Sequence, residues 1–179
     1  MTSSASFFVI NVNQAEDLSL ATNAKNCDTD LIDFDQTCSL RAAIEYAHQL
    51  KEQDPAIADY IIVSFNDLKL QGINKIQISK DLPDIHIPMI FDGGDNHCSN
   101  SNLKSTPDFT ISGQGSYIDG LHFFSYQGTR KTSAHGSKVC NLALDGFGKQ
   151  PISINGKWDY TNLEFTDSKL SSEYQIFNN

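Results

Sequence analysis

Four aspartates, Asp28, Asp30, Asp33 and Asp35, crowd into one short stretch between Cys27 and Cys38. Hard cations such as Ca²⁺ take about six to eight oxygen ligands, and alternating carboxylates in a loop are one way to supply them. The EF-hand order, with its glycine at the sixth position and glutamate at the twelfth, is absent. These four residues are therefore a candidate calcium loop, with a solvated polar loop as the plainer reading.

A second constellation is His97-Cys98 within GGDNHC, with Asp95 nearby. Zinc takes tetrahedral nitrogen and sulfur ligands, usually delivered at short fixed spacings. No C-x-x-C or H-x-x-x-H occurs, and His122 and His135 stand as distant candidate partners. Cys140 lies next to an apolar run, either as a buried thiol acting as a small hydrophobe or as a partner for Cys98.

Acid–base chemistry on a polysaccharide needs paired carboxylates on one face, or a carboxylate–calcium cluster beside a basic residue. If the repeat described next sets the register, Asp119 meets Cys140 and Thr161, Asp145 meets Phe124 and Thr166, and Asp167 meets Ser125 and Gly146. No two carboxylates then stack among these three coils. The expectation is a chain without a catalytic site.

That register comes from a C-terminal periodicity. Leu121, Leu142 and Leu163 recur every twenty-one residues, as do Phe123, Leu144 and Phe165. A fixed step of this size marks units that bury their apolar faces by stacking on their neighbours. The units are too short to hold a helix, so the sequence predicts an all-β β-solenoid with both triads as an internal ladder. Between Tyr60 and Asn179 there is room for about five to six coils, at ~4.8 Å per stacked strand. Residues 1–58 read as an N-terminal strand, a polar loop and a helix, and 59–179 as the coils of the same single domain. In CSLRAAIEYAHQLKEQ, Leu40, Ile44 and Ala47 form one apolar stripe, Ser39 or Thr37 stands at the N-cap, and Pro55 lies beyond the end. The stripe suits a helix covering the open end of the stack, with Arg41 binding a carboxylate or strand-end carbonyls.

Bulk properties narrow the partners. The 179 residues are 39% hydrophobic and 20% charged, ordinary for a folded domain. A net charge of −9, with only Arg41 and Arg130 as arginines, excludes nucleic acid and anionic membrane surfaces as expected partners. No stretch reaches the length of a membrane span. MTSSASFFVINV lacks the basic and long apolar regions of a signal peptide, so either a leader has been removed or export uses another route.

CSLRAAIEYAHQL resembles the CSLREAI-type opening of bacterial extracellular right-handed parallel β-helix proteins. FFVINV, Cys27 with its aspartates, Ile62 to Phe65, Leu82-Pro83-Asp84-Ile85 and Phe91-Asp92-Gly93 follow the family's order. The resemblance implies a short right-handed parallel β-helix of pectate-lyase-like type, an N-terminal helix cap, and secretion or surface display. It also pairs Cys27 with Cys38, which flank one compact loop. The function expected is a non-catalytic module, structural or binding a glycan or another protein, without a cofactor unless calcium binds. The alternatives are a carbohydrate-active lyase or hydrolase, and an assembly-dependent subunit. YQIFNN begins a new coil, so Leu163, Phe165, Ile176 and Phe177 would lie at an uncovered end and favour self-association.

Overall fold

In a computed structural model, residues 5–32, 35–94, 98, 107–124, 134, 136–155, 164–166, 169–170 and 177–178 are described. The chain begins with β1 (Phe7–Asn11), then α1 (Leu40–Gln53), β2 (Tyr60–Ser64), α2 (Asn66–Leu70) and β3 (Lys75–Gln77). It continues with β4 (Met89–Asp92), β5 (Phe109–Ser112), β6 (Leu121–Phe124), β7 (Lys138–Cys140) and β8 (Leu142–Asp145). The last described elements are β9 (Ile152–Asn155), β10 (Glu164–Thr166), β11 (Lys169–Leu170) and β12 (Phe177–Asn178). Every strand pairing among the described residues is parallel. One sheet runs β1-β2-β4-β7-β10, a second β11-β8-β5-β3, and a third β12-β9-β6.

The helix at the N-terminal side forms where its pattern predicts. Ser39 stays extended, its Oγ accepts from Ala42 N at 3.1 Å, and it donates to Leu18 O. One of the orphan amides at the helix start is thereby satisfied. Leu40, Ile44 and Ala47 are buried as the stripe requires, together with Ala42, Ala43 and Tyr46. They join one apolar cluster that reaches from Ile10 to Ile154. The division at residue 58 is bridged by the first sheet, because β1 pairs with β2 along its whole length.

The all-β solenoid does not describe this molecule. It has two α-helices, and its short strands fall into three small parallel sheets with no closed β-helix among the described residues. α2 follows β2 directly and escaped the sequence reading because Phe65, which precedes it, makes no side-chain cap bond.

The expected register also changes. Leu142 pairs with Phe109 and Leu144 with Ile111, a step of thirty-three residues. Leu121 pairs with Ile152 and Phe123 with Ile154, a step of thirty-one. Leu121 and Leu142 thus belong to different sheets. The two steps differ because eight residues turn the corner between β5 and β6, and six between β8 and β9. The twenty-one-residue match arises because strands of different sheets share an inward Leu-x-Phe or Leu-x-Leu pair. Leu121, Phe123, Leu142 and Leu144 are all buried. Leu163 and Ile176 lie outside the described residues, while Phe165 is in β10, opposite Val139.

Candidate functional site

The two corner turns bring together polar residues that the expected register keeps apart. They stack without a gap. A Cβ on Gly120 would stand 2.2 Å from Pro151 O, and Gly146 turns the chain at φ +65°. Only glycine fits the first position, because no side-chain carbon approaches a carbonyl that closely. Gly120 N donates to Gln150 O at 2.8 Å, holding one turn over the other.

On this corner Lys149 Nζ lies 3.5 Å from both Asp81 Oδ2 and Asp119 Oδ2, and 5.6 Å from the centre of the Tyr117 ring. Asp119 N donates to Asp81 Oδ1 at 2.8 Å, and Gln150 N to Asp119 Oδ1 at 3.3 Å. Desolvation opposes the charge on Lys149, but Asp81 and Asp119 outweigh it and hold the ammonium pKa above its ordinary value. Two carboxylates therefore meet here, one of them Asp81, which lies outside the three coils in which none was expected to stack. The group between them is a cation rather than a base. Tyr117 is 79% exposed and offers a bare aromatic face.

The same corner is anchored to α1. Arg41 is buried and binds Asp17 through two bonds, Nε to Oδ1 at 2.8 Å and Nη2 to Oδ2 at 3.1 Å. Its remaining donors reach Lys80 O at 3.0 Å and Asp81 O at 2.8 Å. Arg41 thus binds a carboxylate, and the carbonyls it reaches belong to the loop after β3 rather than to a strand end. Burial works against the Asp17 carboxylate, but the Arg41 fork and the Ser79 amide and hydroxyl hold its pKa below the usual range. Asp17 carried no sequence signal, being an isolated acid in a polar segment.

Beside the corner, Ile85 bridges Phe123 in parallel, so Asp84 lies next to His122 and His86 next to Phe124. His122 Nδ1 and Asp84 Oδ1 are 2.8 Å apart. His86 stacks on His48 of α1, with ring centres 4.2 Å apart and planes 5° from parallel. His48 Nε2 is buried without a hydrogen-bond partner among the described residues. Burial, and then the charge of His86, lower the His48 pKa to about 4, with Asp84 acting in the opposite sense.

A histidine that titrates near 6.5 when unfolded but near 4 when folded takes up its proton first in the unfolded chain. Its contribution is full above pH 6.5 and is lost as the pH falls toward 4. We expect stability to drop by roughly 2–3 kcal/mol across that window. Urea titrations at pH 7 and pH 4.5 measure the drop, and His48→Gln should remove most of it. A slope unchanged in that variant would contradict the assignment.

The remaining candidates fare differently. Asp28 Oδ1 accepts from Asp30 N, Thr37 N and Thr37 Oγ1, and Asp30 Oδ1 accepts from Ile32 N. These bonds shape the loop from within. Asp28, Asp30 and Asp35 do not converge as a metal-holding group among the described residues, and Asp33 lies outside them. Cys27 and Cys38 form a disulfide with Cα atoms 5.2 Å apart. Cys98 and Cys140 form a second, with Cα atoms 5.7 Å apart, which settles the alternatives left for Cys140. Asp92, Cys98 and Cys140 are within metal-ligating distance of one another, but disulfide sulfurs are not thiolates and do not serve as zinc ligands. His97, His135 and Asp95 lie outside the described residues.

Compared with protein-family models, curated proteins and solved structures, the chain has no match. The resemblance of its helix string thus stands on those residues alone. The two disulfides are compatible with an extracellular protein, and no described helix is long and apolar enough to cross a membrane.

Proposed function

We propose that the chain is a secreted or cell-surface, non-catalytic module that binds a glycan at the Tyr117 corner. The observation carrying this reading is the exposed Tyr117 ring beside Lys149, Asp81 and Asp119. A bare aromatic face accepts the apolar C–H face of a pyranose, while carboxylates and an ammonium at its rim bond the hydroxyls. The acidic surface favours neutral or amino sugars over uronic acids. Lys149, held protonated, is a hydrogen-bond donor and not the proton-abstracting base of a lyase.

A glycan array followed by calorimetry tests the reading. Tyr117→Ala should weaken any neutral or amino-sugar ligand at least tenfold, and Tyr117→Phe should retain it, since the ring face supplies the contact. No binder on the array, or binding indifferent to Tyr117→Ala, would remove the basis for this function. Turnover of polygalacturonate that vanishes on mutating Asp81 or Asp119 would replace it with an enzyme.

A further inference from the structure

The parity of the β1 hydrogen bonds exposes a second surface, distinct from the Tyr117 corner. Tyr60 N donates to Ser6 O at 3.2 Å, and Val12 N donates to Ser64 O at 2.8 Å. With the register Phe7↔Tyr60 to Asn11↔Ser64, these two bonds make the even-numbered residues of β1 the ones that pair with β2. The N–H and C=O groups of Phe7, Val9 and Asn11 therefore point away from β2. None has a protein partner among the described residues. β1 also ends its sheet, so among the described residues no further strand covers this edge.

Proteins usually protect such an edge with a lysine, a proline or a bulge. FFVIN contains no charge and no proline, and Phe7 and Val9 are 55% and 43% exposed. A cavity of about 320 Å³ borders the strand along Phe8, Val9, Ile10 and Asn11. Its far wall comes from Asn26, Cys27 and Gln36 of the disulfide loop, with Tyr46 and Asp67. The size falls within the range of ligand sites, roughly 300–1,000 Å³.

We propose that this slot binds an extended, neutral or basic peptide segment of a partner protein, which adds to β1 as an edge strand. Main-chain donors and acceptors alternating at about 6.6–6.8 Å, every second residue of a strand, are matched by another extended polypeptide. A sugar does not present that spacing. Asp67 is the one charged side chain lining the slot among the described residues, and the chain carries −9 overall, so charge complementarity disfavours acidic segments. Asn26, Cys27 and Gln36 of the disulfide loop face β1 across the cavity, opposite the free donors and acceptors of the strand. Closure of that loop by Cys27–Cys38 keeps the far wall in place before the peptide arrives.

The test uses the full chain as bait for a phage library of random linear nonapeptides, followed by fluorescence polarisation with the enriched peptides. We expect neutral or basic binders whose affinity falls at least tenfold with Val9→Pro. That change deletes an N–H aimed into the slot while leaving the β1–β2 ladder whole, so the thermal midpoint should move little. Ile10→Pro, which removes a ladder bond, should instead unfold the strand. N-methylation of alternate peptide amides should abolish binding to the unaltered protein, which keeps the proposal testable if Val9→Pro folds poorly. Tyr117→Ala should leave peptide affinity unchanged, separating this slot from the glycan corner. No enrichment, or peptides that bind Val9→Pro as tightly as the parent, would overturn the proposal. Self-association sensitive to Val9→Pro without peptide binding would overturn it too, making the edge an interface between copies.

Discussion

Leu142→Asp should leave the chain unfolded at room temperature, or lower its stability by more than ~4 kcal/mol, a size reserved for a few mechanisms of damage. Leu142 is fully buried in β8 opposite Phe109. Its Cδ2 packs so close to the end of β4, in the first sheet, that a Cβ on Gly93 would lie 2.8 Å away. Aspartate there forfeits the apolar contacts and places a carboxylate among Phe109, Ile111 and Leu144, where desolvation is not compensated. A typical domain has only about 5–15 kcal/mol to lose. Ser153→Asp is the control. Ser153 lies half-buried beside His122 in the third sheet, where a carboxylate meets water and an imidazole, so its midpoint should shift little. Urea midpoints for the two variants decide the matter. Equal midpoints would mean that β8 and β9 are placed with the wrong faces inward.

The second large effect is expected at Arg41. Its side chain is 5% exposed and that of Asp17 8%, so Arg41→Ala strands a carboxylate out of water and leaves the Lys80 and Asp81 carbonyls without donors. Breaking one side of a buried pair costs about 3–5 kcal/mol, most of it from the charge left behind. Asp17→Ala should be comparably harmful. The double variant should cost clearly less than the two singles together, which is the signature of a pair in contact. Arg41→Lys keeps the charge but cannot span Asp17 and two carbonyls at once, and should recover only part of the loss. Strict additivity in this cycle would show that Arg41 acts through packing of its stem.

Legibility in the sequence followed the range of the interaction. The stripe Leu40, Ile44 and Ala47 and the Ser39 cap are local, and each appears where its spacing points. Cys27 and Cys38 bridge as the resemblance implied. The inward direction of Leu121, Phe123, Leu142 and Leu144 was also readable, because alternation in a strand is local too. Which strand each of them meets was not. The partner depends on the lengths of the 113–120 and 146–151 turns, and a two-residue difference there defeats any fixed period. The error carried into the architecture, since matching strands of different sheets suggested an all-β solenoid where the described residues form two helices and three small parallel sheets. Asp81 and Lys149 had no place in that register, so their meeting with Asp119 went unread. Asp17 and Asp81 were silent for a related reason. An acid in a polar stretch gains meaning only from a partner twenty-four or more residues away.

The all-parallel pairing has a kinetic consequence. Phe7 waits for Tyr60, Ile61 for Met89, and Phe91 for Val139, and the shortest separation among paired strands is the twenty-four residues from Ser153 to Phe177. No β-hairpin is present among the described residues to form first, so each described ladder must close a long loop before it gains a hydrogen bond. Proteins dominated by such distant contacts fold in roughly milliseconds to seconds, whereas helical bundles take microseconds to milliseconds. α1 is then the one sizeable element able to form early from local contacts, and the first sheet has its buried face as a template. A newly made chain is complete to Ser64 before β1 finds its partner, leaving the edge of FFVIN open throughout that interval.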